Sequence, residues 1–188
     1  MAENVTITSD DGDFLRLSPH DFVNSWLFPE NGPVSLKIVN VSDAIIISRV
    51  IEVALKQYPH LDTITINLCS SLDPAWFDHP NEIKTLKITG CSTDHIPVDF
   101  LRHLPSLEHF AFINGVISVV SVGVFDYTPL LQTITLTHNE IGNIDPHVFT
   151  SLNNLTKLYI QGNLPSNLGM LLKNTLINSI PSLETVVV

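Results

Sequence analysis

The chain has 188 residues, one domain or at most two small ones, with 19 Asp plus Glu against nine Lys plus Arg and a net charge of −10. That balance excludes a general phosphate-backbone binder, because counterion release needs a basic surface, and it suits a solvated surface or a basic partner. Apolar residues make 44% of the chain, which supports a buried core, and two cysteines do not make a disulfide scaffold.

At the N-terminus, Val5-Thr6-Ile7 and Leu15-Arg16-Leu17 alternate around Asp10-Asp11-Gly12, which predicts a hairpin. Ser18-Pro19-His20-Asp21 then reads as a helix start, with Pro in the first turn. Phe22, Val23, Trp26 and Leu27 follow, so residues 1–32 are expected to cap the open end of whatever core comes next. Residues 1–13 are acidic and have neither the basic nor the apolar region of a signal peptide, so a leader is expected to be absent or already removed. No apolar run reaches the roughly 18 residues of a membrane span.

From residue 33 a phrase recurs: apolar, two others, apolar, one other, apolar, then a small residue three further on. A weak copy is Pro33, Leu36, Ile38, Val41. Clearer ones follow at Leu61, Ile64, Ile66, Cys69 and at Ile83, Leu86, Ile88, Cys91. The phrase returns at Leu107, Phe110, Phe112, Gly115, at Leu131, Ile134, Leu136, Asn139 and at Leu155, Leu158, Ile160, Asn163. A last fragment is Leu183, Val186, Val188. The starts lie near 33, 61, 83, 107, 131, 155 and 183, so two units of 28 residues flank shorter ones. Each unit has a second half: Leu72, Ile96, Val120 and Ile144 precede Phe77, Phe100, Phe125 and Phe149, which recur at the repeat period and predict a column of rings. Between phrases, Ser42-Asp43 caps a helical run from Ile46 to Tyr58, and Asn167 is expected to cap Leu168, Leu171, Leu172, Leu176.

The stretch Leu131-Gln132-Thr133-Ile134-Thr135-Leu136-Thr137-His138-Asn139-Glu140-Ile141, with Ile144, Phe149 and Leu152, resembles the 24-residue form of the leucine-rich repeat family. The resemblance covers about residues 33–188 and is strongest over 61–163. It implies an α/β fold: a leucine-rich-repeat solenoid with a parallel, concave β-sheet and convex helices in the two long repeats, preceded by the hairpin-helix cap. The physics agrees. A strand with one apolar face cannot hide it alone, and stacked units bury one continuous core. At the ninth position of each unit, Asn139 and Asn163 suit amide bonding to the turn's backbone. The family also accepts cysteine there, which implies that place for Cys69 and Cys91. Neighbouring rungs bring those two within disulfide reach, but inward-pointing ladder geometry favours buried, reduced thiols.

The outward strand positions define the expected recognition face: Ser35, Lys37, Val39; Thr63, Thr65, Asn67; Thr85, Lys87, Thr89; His109, Ala111, Ile113; Thr133, Thr135, Thr137; Lys157, Tyr159, Gln161; Thr185, Val187. Threonine suits exposed strands in any case. The candidate partner-binding residues are Lys37, Thr65, Lys87, His109, Ile113, Thr135, Lys157 and Tyr159, with Tyr159, His109 and Ile113 as anchors. Lys37, Lys87 and His109 break the threonine columns, which argues against a lattice-matching ice-binding surface. The expected function is non-enzymatic recognition of a protein partner. The alternative is a self-associating subunit, a homodimer formed through the strand edge at 186–188. No nucleic-acid partner and no membrane span are expected.

Enzyme chemistry finds no foothold. Eight histidines show no zinc-helix spacing, and only His109 and His138 map near the strand face. Asp10, Asp11 and Asp13 lack the alternation of a calcium loop and read as a solvated turn. No metal site, cofactor or catalytic residue is therefore expected. Sequons at Asn4, Asn40 and Asn154 occur at the frequency composition alone predicts. The 24-residue repeat form is, within the family, typical of animal extracellular proteins. The localisation expected is extracellular, with a cytoplasmic one as the alternative.

Overall fold

The computed structural model describes residues 3–8, 33–39, 41, 43–163 and 165–188. The side chains of 3–8, 33, 34 and 166–168 lie outside that description, as do the expected helix start at Ser18-Pro19 and the second hairpin strand at Leu15-Arg16-Leu17.

Among the described residues eight strands form one open, parallel sheet in simple chain order. They are β1 (Glu3–Thr8), β2 (Pro33–Val39), β3 (Thr63–Asn67), β4 (Thr85–Thr89), β5 (His109–Ile113), β6 (Thr133–Thr135), β7 (Lys157–Tyr159) and β8 (Thr185–Val187). Each pairs with the next in the register the repeat predicts: Leu36 with Ile64, Ile64 with Leu86, Leu86 with Phe110, Phe110 with Ile134, Ile134 with Leu158, Leu158 with Val186. The α/β leucine-rich-repeat solenoid is thus the observed architecture. Ile134 and Leu136 are fully buried, as are Ile64, Ile66, Leu86 and Ile88. Burying each such side chain contributes about 1.5–3 kcal/mol.

Of the expected N-terminal cap, residues 1–32, only β1 is described. β1 lies beside β2 in parallel, Val5 opposite Leu36 and Ile7 opposite Ile38, and so adds a rung to the sheet.

The long repeats carry the helices. α1 (Ala44–Gln57) is capped by Asp43, whose side chain accepts from the amides of Ile45 and Ile46. It buries Ile47, Val50, Ile51 and Ala54. α2 (Ser166–Ser179) starts two residues earlier than expected: Pro165 is at the cap and Asn167 lies inside the first turn. Leu172 and Leu176 are buried but Leu171 is exposed, because the core-facing stripe runs at four-residue spacing. Between the helices the connecting segments shrink to 3-10 turns at Pro74–Trp76 and Pro146–Phe149 and to irregular turns.

Phe77, Phe100, Phe125 and Phe149 are all buried. Phe77 and Phe100 meet edge-to-face at 6.0 Å, and Phe125 and Phe149 stack at 6.0 Å. Phe125 also turns an edge contact onto Phe110 of β5, at 5.9 Å, and so ties the ring file to the sheet.

Candidate functional site

Outside the strands, the five repeats that start at 61, 83, 107, 131 and 155 are fixed at two consecutive positions. The eighth is left-handed throughout: Leu68 (φ 63°), Gly90 (69°), Asn114 (54°), His138 (54°) and Gly162 (79°). This turn lets the backbone amide continue the ladder: Leu68 donates to Thr89, Gly90 to Ile113, Asn114 to Thr137 and His138 to Gln161. The signal was hard to read because only two of the five residues are glycine, the type that favours this conformation.

At the ninth position Asn139 Nδ2 donates to the carbonyls of Phe112, Leu136 and Thr137, while its Oδ1 accepts from the Gly115 amide at 3.1 Å. Asn163 repeats the pattern one unit on, its Nδ2 reaching Leu136 and Ile160 at 2.7 Å and its Oδ1 the Asn139 amide. Gly115 is small for a reason: a Cβ there would sit 2.3 Å from the ring of Phe112 and 2.8 Å from Asn139 Oδ1.

Cys69 and Cys91 form a disulfide, with Cα atoms 4.4 Å apart, which corrects the expectation of reduced thiols. That expectation assumed the parallel side-chain directions of a strand. The cysteines instead lie beyond the ends of β3 and β4, past the left-handed residues 68 and 90, where the strand rule no longer sets direction. Thr137 is a second correction: expected on the outer face, it is buried, because β6 ends at Thr135 and the chain then bends inward. Val188 is a third: its side chain was expected inward, yet it is 39% exposed and lies against Gly169 of α2.

The register sets the outward residues in rows. Lys37, Thr65, Lys87, Ala111, Thr135, Tyr159 and Val187 form the central row. Ser35, Thr63, Thr85, His109, Thr133, Lys157 and Thr185 form the row before it. Ile113 closes a shorter third row behind Val39, Asn67 and Thr89. Five of the eight candidates thus share one line, with strands spaced about 4.8 Å apart. Lys37 and Lys87 are two strands apart, about 10 Å. Across β2 to β8 no outward position is an acid. The carboxylates sit beside the sheet, where Asp62 accepts from Thr63 Oγ1 and Glu108 meets Lys84 Nζ at 3.8 Å.

Two further carboxylates are perturbed outside the strands. Asp145 is held below the ordinary carboxylate range, first by the His147 amide and then by its ring, and Asp94 is lowered by the ring of His95. His138 lies over Gly162: a Cβ added to that glycine would be 2.6 Å from its Nδ1. Among the described residues no group of three His, Cys, Asp or Glu is placed to hold a metal ion, and no helix is long and apolar enough to cross a membrane.

A family model described as leucine rich repeat matches residues 113–164, the stretch with the asparagine ladder and the stacked phenylalanines. Residues 113–164 carry leucine-rich repeats. Among solved structures, the repeats are similar to a chain titled "Crystal structure of TLR13-ssRNA13 complex", at 16% identity and a TM-score of 0.48. That match covers 80% of this chain and 27% of the other, so this chain spans about a quarter of its length. No curated protein matches the sequence.

Proposed function

We propose that this leucine-rich-repeat chain is a non-enzymatic recognition module that binds a protein partner on the outward face of its sheet. One observation carries the reading. In a chain of net charge −10, the outward positions of β2 to β8 hold Lys37, Lys87, Lys157 and His109 and no carboxylate. Such segregation gives the face a sign opposite to the molecule, which selects and orients a partner. Tyr159 and Ile113 supply apolar anchors, and Thr65 and Thr135 supply hydroxyls between the cations. The backbone is held by the ladder, so binding needs little rearrangement.

The test joins two arms. Tyr159→Ala with His109→Ala weakens partner capture at least tenfold and leaves the unfolding midpoint nearly unchanged, whereas Arg102→Ala, off the sheet, leaves capture intact. Unaltered capture by the double variant rejects this face. The disulfide supports an oxidising compartment, consistent with an extracellular module.

A second reading rests on β8. Its outer edge has no strand neighbour among the described residues, and Val187 is 37% exposed. An open edge of this kind is a template for pairing with a second copy. Sedimentation decides: a clean monomer at high concentration removes this reading.

A further inference from the structure

The convex side holds a cavity of about 340 Å³, within the range of small-molecule sites, between the C-terminal half of α1 and the segment around residues 75–82. Its origin is a mismatch of lengths. The 14-residue helix of one repeat stands beside a three-residue 3-10 turn in the next, and the shorter segment leaves a wedge of space. The walls are mainly apolar, with Leu55, Pro59 and Trp76 among them.

Three acids, one lysine and one histidine also line it: Glu52, Asp78, Glu82, Lys56 and His79. The lysine is committed, because its Nζ lies 2.7 Å from Glu52, whose other oxygen takes Arg49 at 2.9 Å. Two cations therefore answer Glu52, and neither answers Asp78 or Glu82. Glu82 receives only a hydroxyl, from Ser106 Oγ at 3.1 Å.

We propose that this cavity binds a small amine with an apolar body, its ammonium set against Asp78 and Glu82. The apolar part is taken out of water against the walls, and the ammonium forms charge-assisted hydrogen bonds with carboxylates that have no other counter-ion among the described residues. A carboxylate of the same shape is repelled, and a neutral alcohol gains the apolar contact and one hydroxyl hydrogen bond without the charge. This inference is independent of the sheet face, which lies on the other side of the core.

The test uses the full chain and three ligands of one shape: 2-phenylethylamine, 2-phenylethanol and 3-phenylpropionate. The readout is the Trp76 indole N–H signal, since Trp76 is in the wall and its Nε1 has no hydrogen-bond partner among the described residues. The amine shifts this signal saturably and at least tenfold more tightly than the alcohol, and the propionate does not compete. Asp78→Asn with Glu82→Gln reduces the amine to the affinity of the alcohol, and Ala75→Phe, which fills the space, removes both. No saturable shift, equal affinity for amine and alcohol, or a preference that survives in the double variant overturns the proposal. Should a variant fail to fold, the ranking of the three ligands on the unmodified chain decides.

Discussion

The Asn139 side chain makes four hydrogen bonds to backbone groups around the bend that follows β6. Its amide serves carbonyls from two successive repeats, and its oxygen serves an amide from the previous one. Removing it strands buried groups of both kinds, and each orphan costs about 1–3 kcal/mol. Asn139→Ala is therefore expected to lower stability by about 3 kcal/mol in urea unfolding. A loss below about 1 kcal/mol would mean the carbonyls find other partners. The neighbouring left-handed column gives a second prediction. Gly162→Ala introduces a Cβ both at a φ of 79° and 2.6 Å from His138 Nδ1. The conformational part costs about 1–2 kcal/mol and stays when the ring is removed. The steric part is relieved by His138→Ala. A double-mutant cycle over the two sites should thus show a positive coupling, and strict additivity would reject the contact.

At the scale of elements, the helices are placed by ordinary local chemistry. Asp43 accepts from two first-turn amides of α1, so Asp43→Ala should cost about 1 kcal/mol in thermal or urea unfolding. Glu52 links Arg49 and Lys56 along the same helix. Its pKa lies below the ordinary 4.5, first through the hydrogen bond from Lys56 and then through that from Arg49. A depressed carboxylate pKa contributes stability that is complete above the unfolded value and is lost as the pH falls through the folded one. Stability of the wild type should therefore fall between neutrality and acid by slightly more than that of Glu52→Gln, and identical acid limbs would remove this contribution. The strand register and the buried file of phenylalanines were legible in the sequence because period and polarity alone set them. The outer rows were legible for the same reason. What lay beyond the strands was not. A left-handed residue such as Leu68 carries no composition signal, and the turn it makes sets where Cys69 points. The cavity was hidden as well, since it arises from unequal segment lengths on two different repeats and not from any motif.

For the whole molecule, the consequence of an open sheet in chain order is that each repeat leans only on its neighbours, so stability is local and sums along the chain. The ninth-position column uses three different devices in succession: a disulfide between 69 and 91, a ring filling the space at Gly115, and the amide ladder of Asn139 and Asn163. The covalent device closes a loop of 22 residues, and on chain-entropy grounds such a loop is worth about 3 kcal/mol. Reduction should therefore not weaken the molecule evenly. Native-state hydrogen exchange should show protection falling first in β3 and β4, whose turns the bond ties together, while β6 and β7 keep theirs through the asparagines. The variant Cys69→Ala with Cys91→Ala should reproduce the reduced pattern, which separates loss of the bond from any effect of reductant. Protection lost equally across all strands would mean that the repeats unfold as one unit, and that the disulfide supports the whole sheet and not the early repeats alone.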